Sequence, residues 1–395
     1  MTIDLKGNGL WGFGERFDKV NQIGLSRENH VYEVFTNQGA NAYIPVPFCF
    51  TDAGEGLFVA ASERFEFRSE KTDHGIRLEI PGGLEIKRFH GTPSEMLDQF
   101  GKCVKHPKLP PAWAFGLWIS ANRWNTQAIA LEQAELSIRH GMKPSVIVLE
   151  AWSDETTFYR FDEKRFPDPA GMIKRLHDMG IRVILWQVPV FKKLEPGVSD
   201  PVHAADCSEA ISLGLVALNP DKTPYVIPEG RWFEGSMIPD FSNPETKKWW
   251  FGKRQHLLDM GVDGFKTDGG EFVYGNDVLF HDGRTGREMQ NAYPLEYTRA
   301  YNEFIGSDRV LFSRAGYAGS SQTPMHWAGD QQSTWAELRH VLTAGLNAGL
   351  SGLPFWTFDI GGFAGELPSA ELYLRAFALA CFSPVVQWHS EPLGG

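Results

Sequence analysis

Basic runs are missing from this chain. Its 38 Lys and Arg face 49 Asp and Glu, a formal net charge of -11. No stretch is basic enough to track a phosphate backbone, which disfavours a nucleic-acid role. Long apolar runs are missing too: nothing approaches the ~20 apolar residues of a membrane helix, and Met1-Thr2-Ile3-Asp4-Leu5-Lys6 carries no apolar signal core. The expectation is a cytoplasmic chain without a membrane partner. Cysteine is scarce: Cys49, Cys103, Cys207 and Cys381 lie far apart, without metal-ligand spacing, and read as reduced core residues before disulfides. The acids are not spaced like a calcium loop and no His-x-x-x-His pair accompanies them, so neither a metal nor another cofactor is expected.

What is present is aromatic. There are 13 Trp and 28 Phe. Trp118, Trp124, Trp152, Trp186, Trp327, Trp356 and Trp388 sit near expected strand ends. Any one of them is best read as core filling. Seven in such places suggest a pocket walled by flat apolar faces, which suits sugar rings.

Residues 1–105 read as β structure, a partial β-sandwich-like domain. Runs at 31–35, 56–60 and 64–67 are strand-like, and Ile76-Arg77-Leu78-Glu79-Ile80 alternates strictly before Pro81-Gly82-Gly83. A short helix is expected at 94–103 and a stiff linker at 107–111. From Trp113 the pattern changes. Strands are expected at 115–120, 146–151, 182–187, 264–268, 310–315, 325–330, 353–358 and 385–389, and helices at 126–140, 170–179, 244–260, 289–305, 335–348 and 369–381. Eight strands with mostly helical crossovers imply an α/β fold, a (β/α)8 TIM barrel over 106–395. An open doubly wound sheet is the alternative, weakened because no Gly-x-Gly-x-x-Gly follows a strand at the barrel's start. The stretch at about 191–240 is too long for a simple connection and reads as a functional insertion or lid.

Barrels place chemistry at strand C-termini. Gly264-Phe265-Lys266-Thr267-Asp268-Gly269-Gly270-Glu271 delivers two carboxylates into a glycine-bearing turn. Alone, Asp268 is as well explained as a helix cap. Glu150, Asp154, Asp330 and Asp359 end other strands, and on the barrel reading all would ring one mouth. Glycosidic cleavage needs two carboxyls with different jobs, one attacking the anomeric carbon or activating water, the other protonating the leaving oxygen. Arg314 ends the strand before Asp330, where a guanidinium would hold a carboxylate ionised or grip sugar hydroxyls; a structural ion pair is an equal reading.

These residues carry a family resemblance. Gly12-Phe13-Gly14-Glu15-Arg16, Pro110-Pro111-Ala112-Trp113-Ala114-Phe115-Gly116, Phe166-Pro167-Asp168-Pro169, Lys266-Thr267-Asp268-Gly269-Gly270-Glu271, Ser313-Arg314-Ala315-Gly316, His326-Trp327-Ala328-Gly329-Asp330 and Asp359-Ile360-Gly361-Gly362-Phe363 occur in the order of glycoside hydrolase family 31, the α-glucosidase and α-xylosidase family, from residue 11 to about 390. The resemblance implies a retaining α-glycosidase with Asp268 as nucleophile and Asp330 as general acid/base, acting on an oligosaccharide or small α-glycoside. It also implies that Arg314, Trp327, Asp359 and His389 line the pocket of the cleaved sugar, with Trp186 as a wall. Lys266 shares the strand face of Asp268; Trp152 and Glu271 complete the candidate set. Family α-glucosidases carry Asp where this chain has Glu150, and the extra methylene moves the carboxylate by about 1.5 Å. That leaves glucoside, xyloside and galactoside open, and transglycosylation beside hydrolysis. A sugar-binding protein without catalysis and a metal-dependent hydrolase are the remaining readings. Family members are longer; the chain reads as a fragment without the last barrel helix, and an oligomer is left open.

Overall fold

The computed structural model describes residues 1–323 and 325–390. Residues 391–395, assigned to the barrel from sequence, lie outside the described residues.

Eight short strands build the N-terminal part: β1 (Thr2–Leu5), β2 (Leu10–Gly12), β3 (Ser26–Asn29), β4 (Phe48–Thr51), β5 (Glu55–Val59), β6 (Phe65–Thr72), β7 (Gly75–Glu79) and β8 (Ile86–His90). They form two antiparallel four-stranded sheets, ordered β1-β7-β6-β3 and β2-β4-β5-β8. Period-2 patterning explains the first. Phe65, Phe67, Ile76 and Leu78 point inward against Leu10, Cys49 and Leu57 of the second sheet, while Arg68 and Glu70 point out. In the second sheet β4 is buried on both faces. Cys49 faces the first sheet, and Phe48 and Phe50 face the helix Pro93–Val104 and the barrel residues Ala344, Ala348 and Trp356.

The strand expected at 31–35 is not formed. Only Val31 makes an isolated bridge, to Ala42. The segment spends its backbone groups elsewhere: Val31 N–H donates to Asn291 Oδ1 at 2.8 Å, and Val34 C=O accepts from Tyr43 Oη at 2.9 Å. Tertiary contacts override a strand-like run.

The barrel strands are β9 (Leu117–Ser120), β10 (Pro144–Leu149), β11 (Arg182–Gln187), β12 (Gly264–Thr267), β13 (Val310–Ser313), β14 (Met325–Trp327), β15 (Trp356–Thr357) and β16 (Val386–Trp388). All the neighbours pair in parallel, and β16 returns to β9. Between β15 and β16, Thr357 Oγ1 donates to Val385 C=O at 2.8 Å and Ile360 N–H to Gln387 C=O at 3.2 Å. Each strand serves two cores, as expected of one covered on both faces. Val146, Val148, Ile184, Phe312 and Trp327 fill the barrel interior, while Ile147, Leu149, Val183 and Leu185 meet the surrounding helices.

Helices follow the amphipathic segments, with corrected ends. The one expected at 244–260 breaks into Pro244–Gly252 and Gln255–Asp259. The one expected from 289 begins a turn earlier, Gly286–Ile305, under a Thr285/Glu288 capping box. The 191–240 stretch holds the helix Pro201–Ser212 and isolated bridges rather than a sheet. Among the described residues no helix is long and apolar enough to cross a membrane.

Candidate active site

The strand tips of β10, β11, β12 and β13 open onto a cavity of about 650 Å³. Its centre is Asp268, one residue past β12. Two glycines make this turn possible. Gly269 and Gly270 have φ of 70° and 105°, and a Cβ on Gly269 would come within 2.6 Å of the Phe272 ring. The Asp268 carboxylate is fixed from three sides. Trp186 Nε1 donates to Oδ2 at 2.9 Å, Gly269 N–H donates to Oδ1 at 2.8 Å, and Arg314 Nη1 lies 3.0 Å from Oδ1.

Asp330 reaches the same guanidinium: Arg314 Nη1 lies 3.9 Å from Asp330 Oδ2. The two carboxylate oxygens nearest that nitrogen are therefore at most about 7 Å apart, within the span of paired glycosidase carboxyls. Burial pushes the Asp330 carboxyl up to about 7, with Arg314 pulling against it and Asp268 adding to it. Arg314 makes a bidentate pair with Glu271, both contacts 3.1 Å, and its planar fork lies 5.0 Å from the rings of both Tyr43 and Trp232. Burial opposes its charge, but Asp268 and Glu271 outweigh burial and hold it a cation.

A second charged group forms the floor. Lys266 Nζ donates to Glu150 Oε1 at 2.7 Å and lies 4.5 Å from the Trp327 ring centre. His389 Nε2 is 3.6 Å from the same Glu150 oxygen. Burial drives the Glu150 carboxyl up and Lys266 opposes it. Burial also works against the Lys266 charge, yet Glu150, Asp359 and Asp268 raise it. The two tendencies conflict over one proton. At 2.7 Å the charge-assisted contact decides for the ion pair. Burial, and then Lys266, lowers the His389 imidazole, which stays neutral.

Glu150, Trp186, Lys266, Asp268, Arg314, Asp330 and His389 all line the cavity. Four other nominated residues do not, which corrects the expectation. Trp152 is wholly buried and donates Nε1–H to the Trp186 carbonyl at 3.0 Å, so it props Trp186. Glu271 stands behind Arg314. Trp327 lies in the barrel interior beneath Lys266. Asp359 is buried, takes a hydrogen bond from Gln387, and acts on the site through the Lys266 charge. Asp154 does not join the ring of acids at all: Oδ1 accepts from the amides of Thr156, Thr157 and Phe158, and Oδ2 pairs with Arg160 at 2.7 Å. Gly329, just before Asp330, has φ of 74° and packs on Tyr43, 2.3 Å from where a Cβ would stand.

Sequence reasoning missed Glu33, Phe35, Trp232 and Phe233 in the lining. Trp232 and Phe233 had a signal, adjacent aromatics inside the Gly- and Pro-bearing insertion. Glu33 and Phe35 had none, because they sit in the segment misread as a strand. Three buried polar atoms near the floor lack a partner: Trp327 Nε1, Asp359 Oδ2 and His389 Nδ1. Among the described residues no group of three or more His, Cys, Asp or Glu is arranged to hold a metal ion.

Comparison with known proteins identifies the family. The profile of the glycosyl hydrolases family 31 TIM-barrel domain matches residues 107–394. An isomaltosyltransferase from Sporosarcina globispora is 36% identical across 98% of this chain, and a 1,3-alpha-isomaltosidase from Kribbella flavida is 37% identical across 98%. The chain spans 38% and 57% of the length of those two relatives. A cycloalternan-degrading enzyme from Trueperella pyogenes, solved with a covalent intermediate, superposes with a TM-score of 0.93 at 38% identity, over 99% of this chain and 58% of that one. A cycloalternan-forming enzyme from Listeria monocytogenes, solved with a pentasaccharide substrate, gives 0.94 at 33% identity, over 99% and 40%. The chain belongs to glycosyl hydrolase family 31.

Proposed function

We propose that this chain carries the catalytic site of an exo-acting α-glycoside hydrolase or transglycosylase that works with retention. The supporting observation is one guanidinium, Arg314, that holds Asp268 at 3.0 Å and reaches Asp330 at 3.9 Å, while burial lifts the Asp330 carboxyl to about 7. Two acids on one cation, with Asp330 raised toward its proton-bearing form, suit the two jobs of glycosidic cleavage.

In the reaction we propose, an Asp268 oxygen attacks the anomeric carbon and Asp330 gives its proton to the departing glycosidic oxygen, leaving a glycosyl ester on Asp268. Asp330, now a carboxylate, takes a proton from water or from a sugar hydroxyl, whose oxygen displaces Asp268. Arg314 limits the charge on Asp268 and keeps the two acids in register. Glu150 and Lys266, with the unpartnered His389 Nδ1, supply acceptors and donors for sugar hydroxyls, since a polyol ligand satisfies buried polar atoms that the protein leaves open.

The names of the relatives favour an α-glucan with isomaltosyl units over a xyloside or galactoside, and a cavity of about 650 Å³ belongs to the class that encloses more than one small ring. The isomaltosyltransferase likeness favours transfer as a second outcome of the same intermediate. The test is proton NMR of an aryl α-glucoside or aryl α-isomaltoside digest. The α anomer as first-formed product is expected; the β anomer first would remove the retaining mechanism.

A further inference from the structure

One wall of the cavity is built differently from its floor. Glu155, Phe158 and Phe233 all line it, and all three hold φ near +60° (60°, 57° and 60°). Only seven non-glycine residues among those described have positive φ, so three of them meet in one cavity wall. Left-handed backbone is unfavourable for a bulky residue, and it persists only where the surroundings enforce it. Here each strained carbonyl is held by a donor. Gln187 Nε2 donates to Phe158 C=O at 2.6 Å, Lys192 Nζ to Glu155 C=O at 3.0 Å, and Ser236 N–H to Phe233 C=O at 3.1 Å.

The strain buys an aromatic strip. Phe158 meets Trp186 edge-on at 5.6 Å and Phe233 edge-on at 6.0 Å, and Phe233 meets Trp232 at 4.8 Å. The strip adjoins Trp186, the hydrogen-bond donor to Asp268, and Lys192 Nζ lies 5.9 Å from its Phe158 ring. Trp232 is 36% exposed despite its size. A clamp outside the cavity holds the loop that carries Trp232 and Phe233: Arg231 lies 4.8 Å from the Tyr274 ring and 5.8 Å from the Tyr32 ring. Glu234 and Gly230 close the same loop through a 2.8 Å hydrogen bond.

Resting on the sugar-cleaving reading above, we infer that the Phe158–Phe233–Trp232 strip is a pre-built platform for a second pyranose ring, adjoining the ring bound at Asp268, and that Arg231 is its positioning residue. Flat apolar faces flanked by Glu155 and Lys192 present what a pyranose offers, an apolar C–H face edged by hydroxyls. Glu150, Lys266 and His389 leave no apolar face on the floor for that role. The ring belongs either to the sugar being transferred or to the acceptor, and the two are separable by experiment.

Calorimetric titration of the chain carrying Asp268→Asn, with isomaltose and with glucose, reads binding independently of turnover. Isomaltose is expected to bind about tenfold tighter than glucose, and adding Phe233→Gly or Arg231→Ala is expected to cut that preference to roughly threefold or less. Phe233→Gly relieves the φ strain but gives up ring contacts to Phe158, Trp232 and Phe272, so its melting temperature is measured alongside, and Arg231→Ala is the variant that leaves those rings in place. With Asp268 intact, a fall in the aryl α-isomaltoside to aryl α-glucoside kcat/KM ratio places the second ring on the donor side; a fall in the transfer-to-hydrolysis ratio places it on the acceptor side. No preference for isomaltose in the parent, or a preference that survives both substitutions, overturns the inference. Neither result bears on the stereochemistry that tests the catalytic reading.

Discussion

The floor and the wall of this cavity are made of opposite materials. The floor is charge on strand tips: Lys266 in β12 and Asp268 just past it, Glu150 just past β10, Arg314 just past β13, each held by ion pairs of 2.7 to 3.0 Å. The wall is aromatic and rides on loops, with three residues in left-handed backbone. Positions fixed by a parallel sheet suit atoms that must meet a reacting centre within fractions of an ångström. Loops suit the contacts that select one sugar from another. Floor substitutions are therefore expected to change rate and wall substitutions to change selectivity.

The largest effect is expected at Asp268. Replacing it with Asn is expected to lower turnover by on the order of 10⁴-fold or more, measured on an activated aryl α-glycoside. Normal rates in that variant would break the contrast at its root. Asp330→Ala is next: a loss of about 10²- to 10⁴-fold on sugar leaving groups, and a much smaller loss on aryl leaving groups that need little protonation. Equal losses on both would remove the acid role.

Glu271→Gln probes the floor from behind. It is expected to lower kcat/KM by about 10- to 100-fold, because Arg314 loses half of its bidentate seat and the acids drift. It also has a signature that mere loosening lacks. In the parent, Asp330 is protonated below about 7, so activity is expected to fall as pH rises through that value. Without Glu271 the Arg314 charge is less compensated and pulls the Asp330 carboxyl down, so the alkaline limb is expected to move to lower pH. An unmoved limb would leave Glu271 a packing residue only.

The smallest effect lies away from the cavity. Glu15 is buried, accepts from Trp356 Nε1 at 2.6 Å, and is pushed by burial up to about 8. Its ordinary value is 4.5, so the unfolded chain releases this proton across a range where the folded chain keeps it. Stability from this group is present at low pH and declines from about 4.5 to 8, by up to ~1.4 kcal/mol per pH unit. Glu15→Gln mimics the protonated form, so its melting-temperature advantage is expected to grow across that window. A constant difference would mean that Glu15 is ionised in the fold.

The barrel was readable because its strands are short apolar runs between amphipathic helices, and Asp268, Asp330, Glu150, Lys266 and Arg314 because strand tips place them. What escaped was decided by tertiary contacts. Val31 and Val34 bond to Asn291 and Tyr43 rather than to a sheet, which carries Glu33 and Phe35 to the cavity. Trp152, Trp327, Glu271 and Asp359 carry the right chemistry one layer too deep, and alternation along a strand cannot separate a lining side chain from the one that supports it.

The central claim is that the Asp268 carboxylate forms the bond to sugar. Incubating the chain with 5-fluoro-α-glucosyl fluoride and mapping the product by peptide mass spectrometry tests it most directly. One glycosyl adduct is expected, on the peptide that contains Asp268 and lost in Asp268→Asn. An adduct on another carboxylate, or continued hydrolysis with no adduct, would contradict it.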